Sequence, residues 1–300
     1  MREVVIAGYL RTAQSRSRPN DPPRDWFHKI RADELLAKLL PEVIKRTGLK
    51  AEEIDDFVVG SSIGVSENWA YGGRTPIWLA NLPETMPAKF VDQQCGSSMA
   101  AIHVGFMEIA MGYADIVMVG GMEHMTRVPM GGTLVEKGAL SLNMRLFTEP
   151  AYKHWDMMTA VNMGLTAEKL FTQREFTKEE MDRWGTRSHQ LASKAYREGF
   201  FKDEILPIEA EQADGKILVV DRDQAVRDDA TLEGMKDLKP AFKPDGVITP
   251  GNSSPLNAAA SSMILMSKET AKKKGAPAMA TIRSIGFAGV DPTIMGVGPV

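Results

Sequence analysis

Cysteine is nearly missing from this sequence: Cys95 is the single one in 300 residues. That excludes an intrachain disulfide and a zinc site built on cysteines, and it fits a reducing compartment. Long apolar runs are missing as well; none reaches the roughly 18 to 20 residues that span a bilayer as a helix. The opening MREVVIAGYLR is too short and too strand-like for a signal peptide. A cytoplasmic protein with no membrane partner is therefore expected. Nor is there an excess of charge of one sign. With 36 Lys and Arg against 39 Asp and Glu, the formal net charge is −3, which leaves no electrostatic footprint for nucleic acid. No short repeat, low-complexity tract or linker is evident.

What is present is ordinary globular composition, 43% hydrophobic and 25% charged, enough for two domains or for one core with a large insertion. The 19 methionines read as adaptable core filling. Val4 to Ala7 reads as a buried strand. Ala32 to Arg46 carries Leu35, Leu36, Leu39, Leu40, Val43 and Ile44 at helical spacing, with Gly48 suited to its stop. Ile54 to Val59 is the next expected strand, followed by the small-residue loop GSSIG, and Gly73 to Leu82 a short helix ended by Pro83. Strands from Lys89 to Gln93 and from Ile116 to Val119 enclose a helix from Ser98 to Met111. This alternation predicts an α/β layer on a mainly parallel sheet.

The pattern breaks after Gly121 and returns at Val247. Between them lie a helix start at Thr166 and a capping box, Thr177 with Glu180, ahead of an amphipathic helix to about Glu198. Residues 122–247 are expected to form an inserted cap. A small-residue helix is predicted over Ser253 to Met263, a Lys-rich surface helix around Ala271 to Lys274, and a further strand in 280–290.

Cys95 sits where the strand hands over to the helix, in VDQQCGSSMAA. A thiol at the positive end of a helix, near free backbone N–H groups, is favoured as its nucleophilic thiolate. Gly96 allows a tight turn and close approach of a substrate. An inert, buried thiol is the competing interpretation.

VDQQCGSSMAA, GGMEHMTRVPM, MGLTAEKL, GFFKDEILPI, DLKPAF, GVITPGNSSPLNAAASSMILMS and DPTIMGVGPV follow one another in the order found in thiolases. Over nearly its whole length the chain resembles that family, and is most similar to the degradative 3-ketoacyl-CoA thiolases. The resemblance implies a layered α-β-α-β-α fold with an inserted loop domain. It assigns 1–121 plus 248–279 to the N-terminal half, 122–247 to the loop domain, and 280–300 to the start of a second half that is largely missing. It implies thiolytic cleavage of 3-ketoacyl-CoA through an acyl-cysteine on Cys95, as in fatty-acid β-oxidation. No cofactor is implied, since coenzyme A is a substrate. Expected partners are acyl-CoA, coenzyme A, a homodimer or homotetramer, and a β-oxidation multienzyme complex.

By position, Arg227 matches a coenzyme-A-contacting arginine of the family, Ser254 a serine that hydrogen-bonds pantetheine, and Met163 an apolar residue beside the acyl thioester. The family's Asn-Glu-Ala-Phe and Gly-His-Pro-x-Gly motifs and its second cysteine do not occur. None of His28, His103, His124, His154 and His189 replaces the missing histidine; His124 reads as a loop residue holding its neighbours. The 300-residue chain alone is therefore expected not to turn over. Three positions depart from the family. Asp92 stands where Asn is usual, Asn257-Ala258-Ala259-Ala260 lacks the usual glycine and is expected to restrict a turn, and Gly234 replaces a serine of some biosynthetic members. An acetoacetyl-CoA thiolase and a non-catalytic acyl-CoA-binding or scaffold subunit are the alternative readings.

Overall fold

The computed structural model describes residues 1–129 and 141–300. The stretch 130–140, which the expected insertion includes, lies outside the described residues. The chain divides into two compact units. The first comprises Met1–Leu140, Phe200–Ala225 and Leu256–Ile285, and the second Ser141–Gly199, Val226–Pro255 and Gly286–Val300. This division differs from the boundaries expected from sequence. Residues 200–225 return to the first unit because Ile205 and Leu206 pair with Arg11 and Thr12.

In chain order the first unit contains β1 (Val4–Thr12), β2 (Ser15–Arg16), α1 (Ala32–Thr47), β3 (Asp56–Gly60), α2 (Arg74–Leu79), β4 (Ala88–Val91), α3 (Ser97–Met111) and β5 (Ile116–His124). After the helices of the second unit, α4 (Arg145–Thr148), α5 (Met157–Ala160), α6 (Met163–Thr172) and α7 (Lys178–Arg197), the first unit resumes with β6 (Ile205–Leu206), β7 (Ile208–Glu211) and β8 (Ile217–Val220). The second unit adds α8 (Leu232–Lys236), and the first ends with β9 (Asn257–Ser267), α9 (Lys268–Lys274) and β10 (Ala280–Thr281).

The main sheet runs β10-β1-β9-β5-β3-β4, with β2 on β9 and β6 on β1. It is mixed, not mainly parallel. β3 is parallel to β4 and β5, but β9 runs antiparallel to both β1 and β5. The small-residue helix expected over Ser253 to Met263 is thus a central strand. Pairing with β1 and β5 along both its edges fixes it as a strand, so tertiary context overrides local propensity. The stretch Asn257-Ala258-Ala259-Ala260 is no turn: Ala258, Ala259 and Ala260 pair with His124, Glu123 and Met122.

Adjacent residues of β5 point to opposite faces, and two glycines there identify what covers each. A side chain at Gly120 would meet Leu36 of α1, and one at Gly121 would meet Ser98 of α3. Hence α1 covers one face of the sheet and α3 the other. Leu35, Leu36, Leu39, Leu40 and Val43 of α1 are fully buried, each contributing about 1.5 to 3 kcal/mol by burial. Glu34 bonds back to the Arg31 N–H at 2.8 Å, and Gly48 closes α1 in the left-handed region at φ 71°. Among the described residues no helix is long and apolar enough to cross a membrane.

In the second unit α7 begins on the expected capping box, where Thr177 and Glu180 bond reciprocally. α6 starts earlier than expected. Asn162 caps it by accepting from the N–H groups of Gly164 and Leu165, both at 3.1 Å, while Thr166 lies inside the helix with its hydroxyl on the Met163 carbonyl at 2.7 Å.

Candidate active site

Cys95 is exposed at the head of α3. The turn that presents it is knotted by hydrogen bonds. The Ser97 hydroxyl accepts from the Gln93 N–H at 2.9 Å and donates to the Gln94 carbonyl at 2.6 Å. The Gly96 and Ser97 N–H groups reach back to the carbonyls of Gln93 and Gln94, each at 3.0 Å. Gln94 takes a left-handed backbone, φ 49°, which turns the chain sharply just before the thiol. Such a conformation costs a non-glycine residue on the order of 1 kcal/mol and is retained where surrounding bonds impose it. Asp92, the departure three residues ahead of the thiol, caps the same turn, its carboxylate accepting from the Gln94 N–H at 2.8 Å.

A cleft of about 320 Å³ opens beside Cys95, with Ser61, Ser62, Ser98, Glu123 and Arg11 among its walls. Arg11 does not offer it a free cation. Its guanidinium is paired with Glu204 at 2.5 Å and Asp223 at 2.8 Å. Burial opposes that charge, and the hydrogen bonds to the two carboxylates outweigh it and hold the pKa above its usual value.

Glu123 is a residue the sequence reading missed. It lies at the end of β5, and its carboxylate accepts from the Ser61 hydroxyl at 3.2 Å, the Ser62 N–H at 2.8 Å, and also the Ser62 hydroxyl and the Asn68 amide. Burial pushes its carboxyl pKa up, against the pull of these donors. A carboxyl whose folded pKa is raised binds its proton more tightly in the native state. Its contribution is therefore favourable at low pH and is lost as pH rises from the unfolded value of about 4.3 through the raised one. Thermal unfolding of the native sequence and of Glu123→Gln, compared from about pH 4 to about pH 7, is expected to show the native sequence losing stability relative to the variant as pH rises. A relative gain would mean that the four donors dominate and the carboxyl is depressed.

The histidines do not supply a base in this cleft. His124, 0% exposed, donates from Nε2 to the Phe27 carbonyl at 3.1 Å, and its Nδ1 is 3.9 Å from Asp25. Burial lowers its pKa, so it serves as a neutral core residue that ties the segment around Phe27 to β5. His103 is buried on α3, and His28 is held by the Asp25 carbonyl at 2.8 Å. Among the described residues no group of three His, Cys, Asp or Glu side chains could hold a metal ion.

The other sequence candidates lie in the second unit, each exposed. Met163 is the first residue of α6. Arg227 is on the loop before α8, with its N–H on His189 Nδ1 at 3.3 Å and its carbonyl 3.5 Å from the Ser193 hydroxyl. Burial and then the neighbouring Arg227 charge lower the His189 pKa. Ser254 follows the turn at 250–253, and Gly234 lies within α8 with its N–H on the Thr231 hydroxyl at 3.1 Å. His154 is exposed in a short 3-10 helix of this unit.

Comparison with known proteins places these features in a family context. The model of the thiolase N-terminal domain matches residues 4–269. A 3-ketoacyl-CoA thiolase of Saccharophagus degradans is 38% identical over 301 residues, covering 100% of this chain and 73% of the relative. One of Acinetobacter baumannii is 39% identical over 300 residues, with the same two shares, 100% and 73%. Among solved structures, the acetyl-CoA acetyltransferase of Bacillus anthracis superposes with a TM-score of 0.82 at 33% identity, covering 99% of this chain and 74% of that one.

Proposed function

This chain belongs to the thiolase family, and from that premise we propose that it is an acyltransferase that cleaves 3-ketoacyl-CoA by thiolysis, with Cys95 as nucleophile. The observation that carries the reading is the exposed thiol at the head of α3, opening on a cleft. In the first step the Cys95 sulfur bonds to the 3-keto carbon, the bond between carbons 2 and 3 breaks, and acetyl-CoA departs as an enolate that takes up a proton. In the second, the thiol of coenzyme A takes the acyl group from Cys95 and yields its proton, restoring the thiolate. The positive end of α3 lies beside the sulfur and favours the developing oxyanion. A thioester suits this exchange because sulfur is a good leaving group toward another thiol.

Arg227 is assigned to the coenzyme A phosphates, Ser254 to pantetheine and Met163 to the acyl thioester, on the family match at each position. Arg227→Ala is expected to weaken coenzyme A binding by about 1 to 3 kcal/mol, the value of a charge-assisted hydrogen bond. Calorimetric titration checks this, and an unchanged affinity returns Arg227 to the solvated surface. A role in fatty-acid β-oxidation, a cytoplasmic location, a homodimer or homotetramer and a multienzyme partner complete the proposal; no cofactor is needed beyond coenzyme A as substrate. The acetyl-CoA acetyltransferase neighbour supports a second reading with acetoacetyl-CoA as substrate, and acyl-length preference separates the two. The test is intact-mass measurement after incubation with an acyl-CoA. One acyl adduct per chain, on Cys95, is expected, and no adduct on any residue overturns the reading in favour of a scaffold. The 300 residues hold a single thiol, so the chain by itself is expected to form the adduct without sustained turnover.

A further inference from the structure

Ser254 is exposed, yet the groups that hold its loop are buried carboxylates. We propose that Glu168 and Asp182 are positioning residues that set Ser254 against the pantetheine arm by clamping residues 247–254, an inference that rests on the coenzyme A reading of Ser254 given above. Glu168, on α6, is 4% exposed. Its Oε1 accepts from the Val247 N–H at 3.0 Å and the Ile248 N–H at 2.9 Å, and its Oε2 lies 3.1 Å from the Val247 nitrogen. Gly246 leaves room for this, since a side chain there would overlap Oε1.

Asp182, on α7, is 2% exposed. Its Oδ1 accepts from the Asn252 amide at 2.9 Å and its Oδ2 from the Lys178 ammonium at 2.6 Å. Asn252 then locks the loop onto itself, donating to the Val247 carbonyl at 3.0 Å and accepting from the Thr249 N–H at 2.8 Å. Gly185, also on α7, lets the Gly251 carbonyl lie directly on the helix, where a methyl would overlap it.

Burying a carboxylate is expensive unless its hydrogen bonds are satisfied. Glu168 meets that requirement with the two loop N–H groups and Asp182 with Asn252 and Lys178, so the loop conformation and the carboxylates define each other. Ser254 follows Asn252 by two residues, close enough that the clamp fixes where its hydroxyl points.

The test is a double-mutant cycle read by calorimetric titration of coenzyme A into the full chain, with melting curves as a check on folding. Glu168→Ala is expected to weaken affinity about tenfold, the scale of one well-made hydrogen bond to the ligand. In the Ser254→Ala background the same change is expected to cost less than about twofold, because coupled residues are not additive. Glu168→Gln keeps an acceptor oxygen and is expected to retain most of the affinity. If Glu168→Ala fails to fold, the isosteric Asn252→Asp replaces it in the cycle; it sets a second carboxylate against Asp182 and is expected to reproduce the loss. Equal losses in both backgrounds, or no loss with an intact fold, overturn the positioning role while the reading of Ser254 stands. An unchanged affinity in Ser254→Ala, or no binding to the unaltered chain, overturns that reading itself and the positioning role with it.

Discussion

Replacing Cys95 by alanine is expected to abolish acyl transfer, a loss on the order of 10⁴-fold or more, as removal of a covalent nucleophile does elsewhere. Cys95 is the only thiol in the sequence, so no neighbour can take over the acyl group as a thioester. The exposed side chain bears little of the packing, and the knot of the turn runs through the backbone of Gln93, Gln94 and Gly96 and the hydroxyl of Ser97. Cys95→Ala is therefore expected to melt within about 1 °C of the native sequence, well inside the range of surface substitutions. The measurement is acyl-adduct formation by intact mass, alongside a melting curve. An adduct that persists in Cys95→Ala would place the nucleophile elsewhere. Cys95→Ser separates sulfur from geometry: an oxygen ester is a poorer acyl donor to a thiol, so a trapped adduct or none is expected, and efficient transfer would count against the thioester route.

Gly60→Ala is expected to have the largest effect among the sheet substitutions. Gly60 ends β3, paired with Val91 on one side and Gly121 on the other. A methyl there would fall on the Ser97 carbonyl and the Ser98 nitrogen, backbone atoms in the first turn of α3. Backbone cannot swing aside as a side chain does, so the helix start moves and takes the Cys95 turn with it. Overpacking of this kind costs about 3 kcal/mol at the upper end of the usual range, or roughly 6 to 12 °C in melting midpoint. Displacing a nucleophile by about 1 Å is expected to slow adduct formation on the order of 100-fold. Gly121→Ala is the control. Its methyl would meet the Ser98 hydroxyl, which can rotate away, and Ser98 Cβ at 2.8 Å, which asks a small shift of α3 but no direct collision with backbone atoms, so a smaller loss is expected. A Gly60→Ala protein with native melting and native acylation would show that α3 is not seated against β3 in this way.

Most of what depends on neighbours in sequence was legible in the sequence, the Asn162 cap of α6 being an exception. The apolar spacing of α1, the capping box of α7 and the strand-to-helix turn at Cys95 are local, and each was located within a few residues. The reading of β9 as a helix failed because Asn257 to Ser262 is a run of small residues with no strand preference of its own. β1 and β5, far away in the chain, make it a strand. Glu123 was invisible for the same reason. Its partners Ser61, Ser62 and Asn68 are 62, 61 and 55 residues distant, and nothing adjacent to Glu123 signals that it closes a cleft. Likewise Glu168 and Asp182 look like solvated helix charges until the loop at 247–252 is laid over them. The residues matched by family position, Arg227, Ser254 and Met163, carried no physical signal of their own in the sequence.

The central place of β9 has a consequence for the order in which the molecule forms during synthesis. Val4 of β1 pairs with Ser267, and Ile116 of β5 with Met266. The ribosome releases β1, β3, β4 and β5 long before the strand that must separate β1 from β5 exists. Until then both strands keep an unpaired edge, and their apolar residues have only α1 and α3 to shelter them. Pairing across so long a stretch of chain is slow, because the loop must close before any contact repays it. The nascent chain passes through an interval in which two buried strands of the finished sheet are open templates for aggregation. Slowing synthesis before Asn257 lengthens that interval, and a chaperone acting there protects the sheet that later carries Cys95.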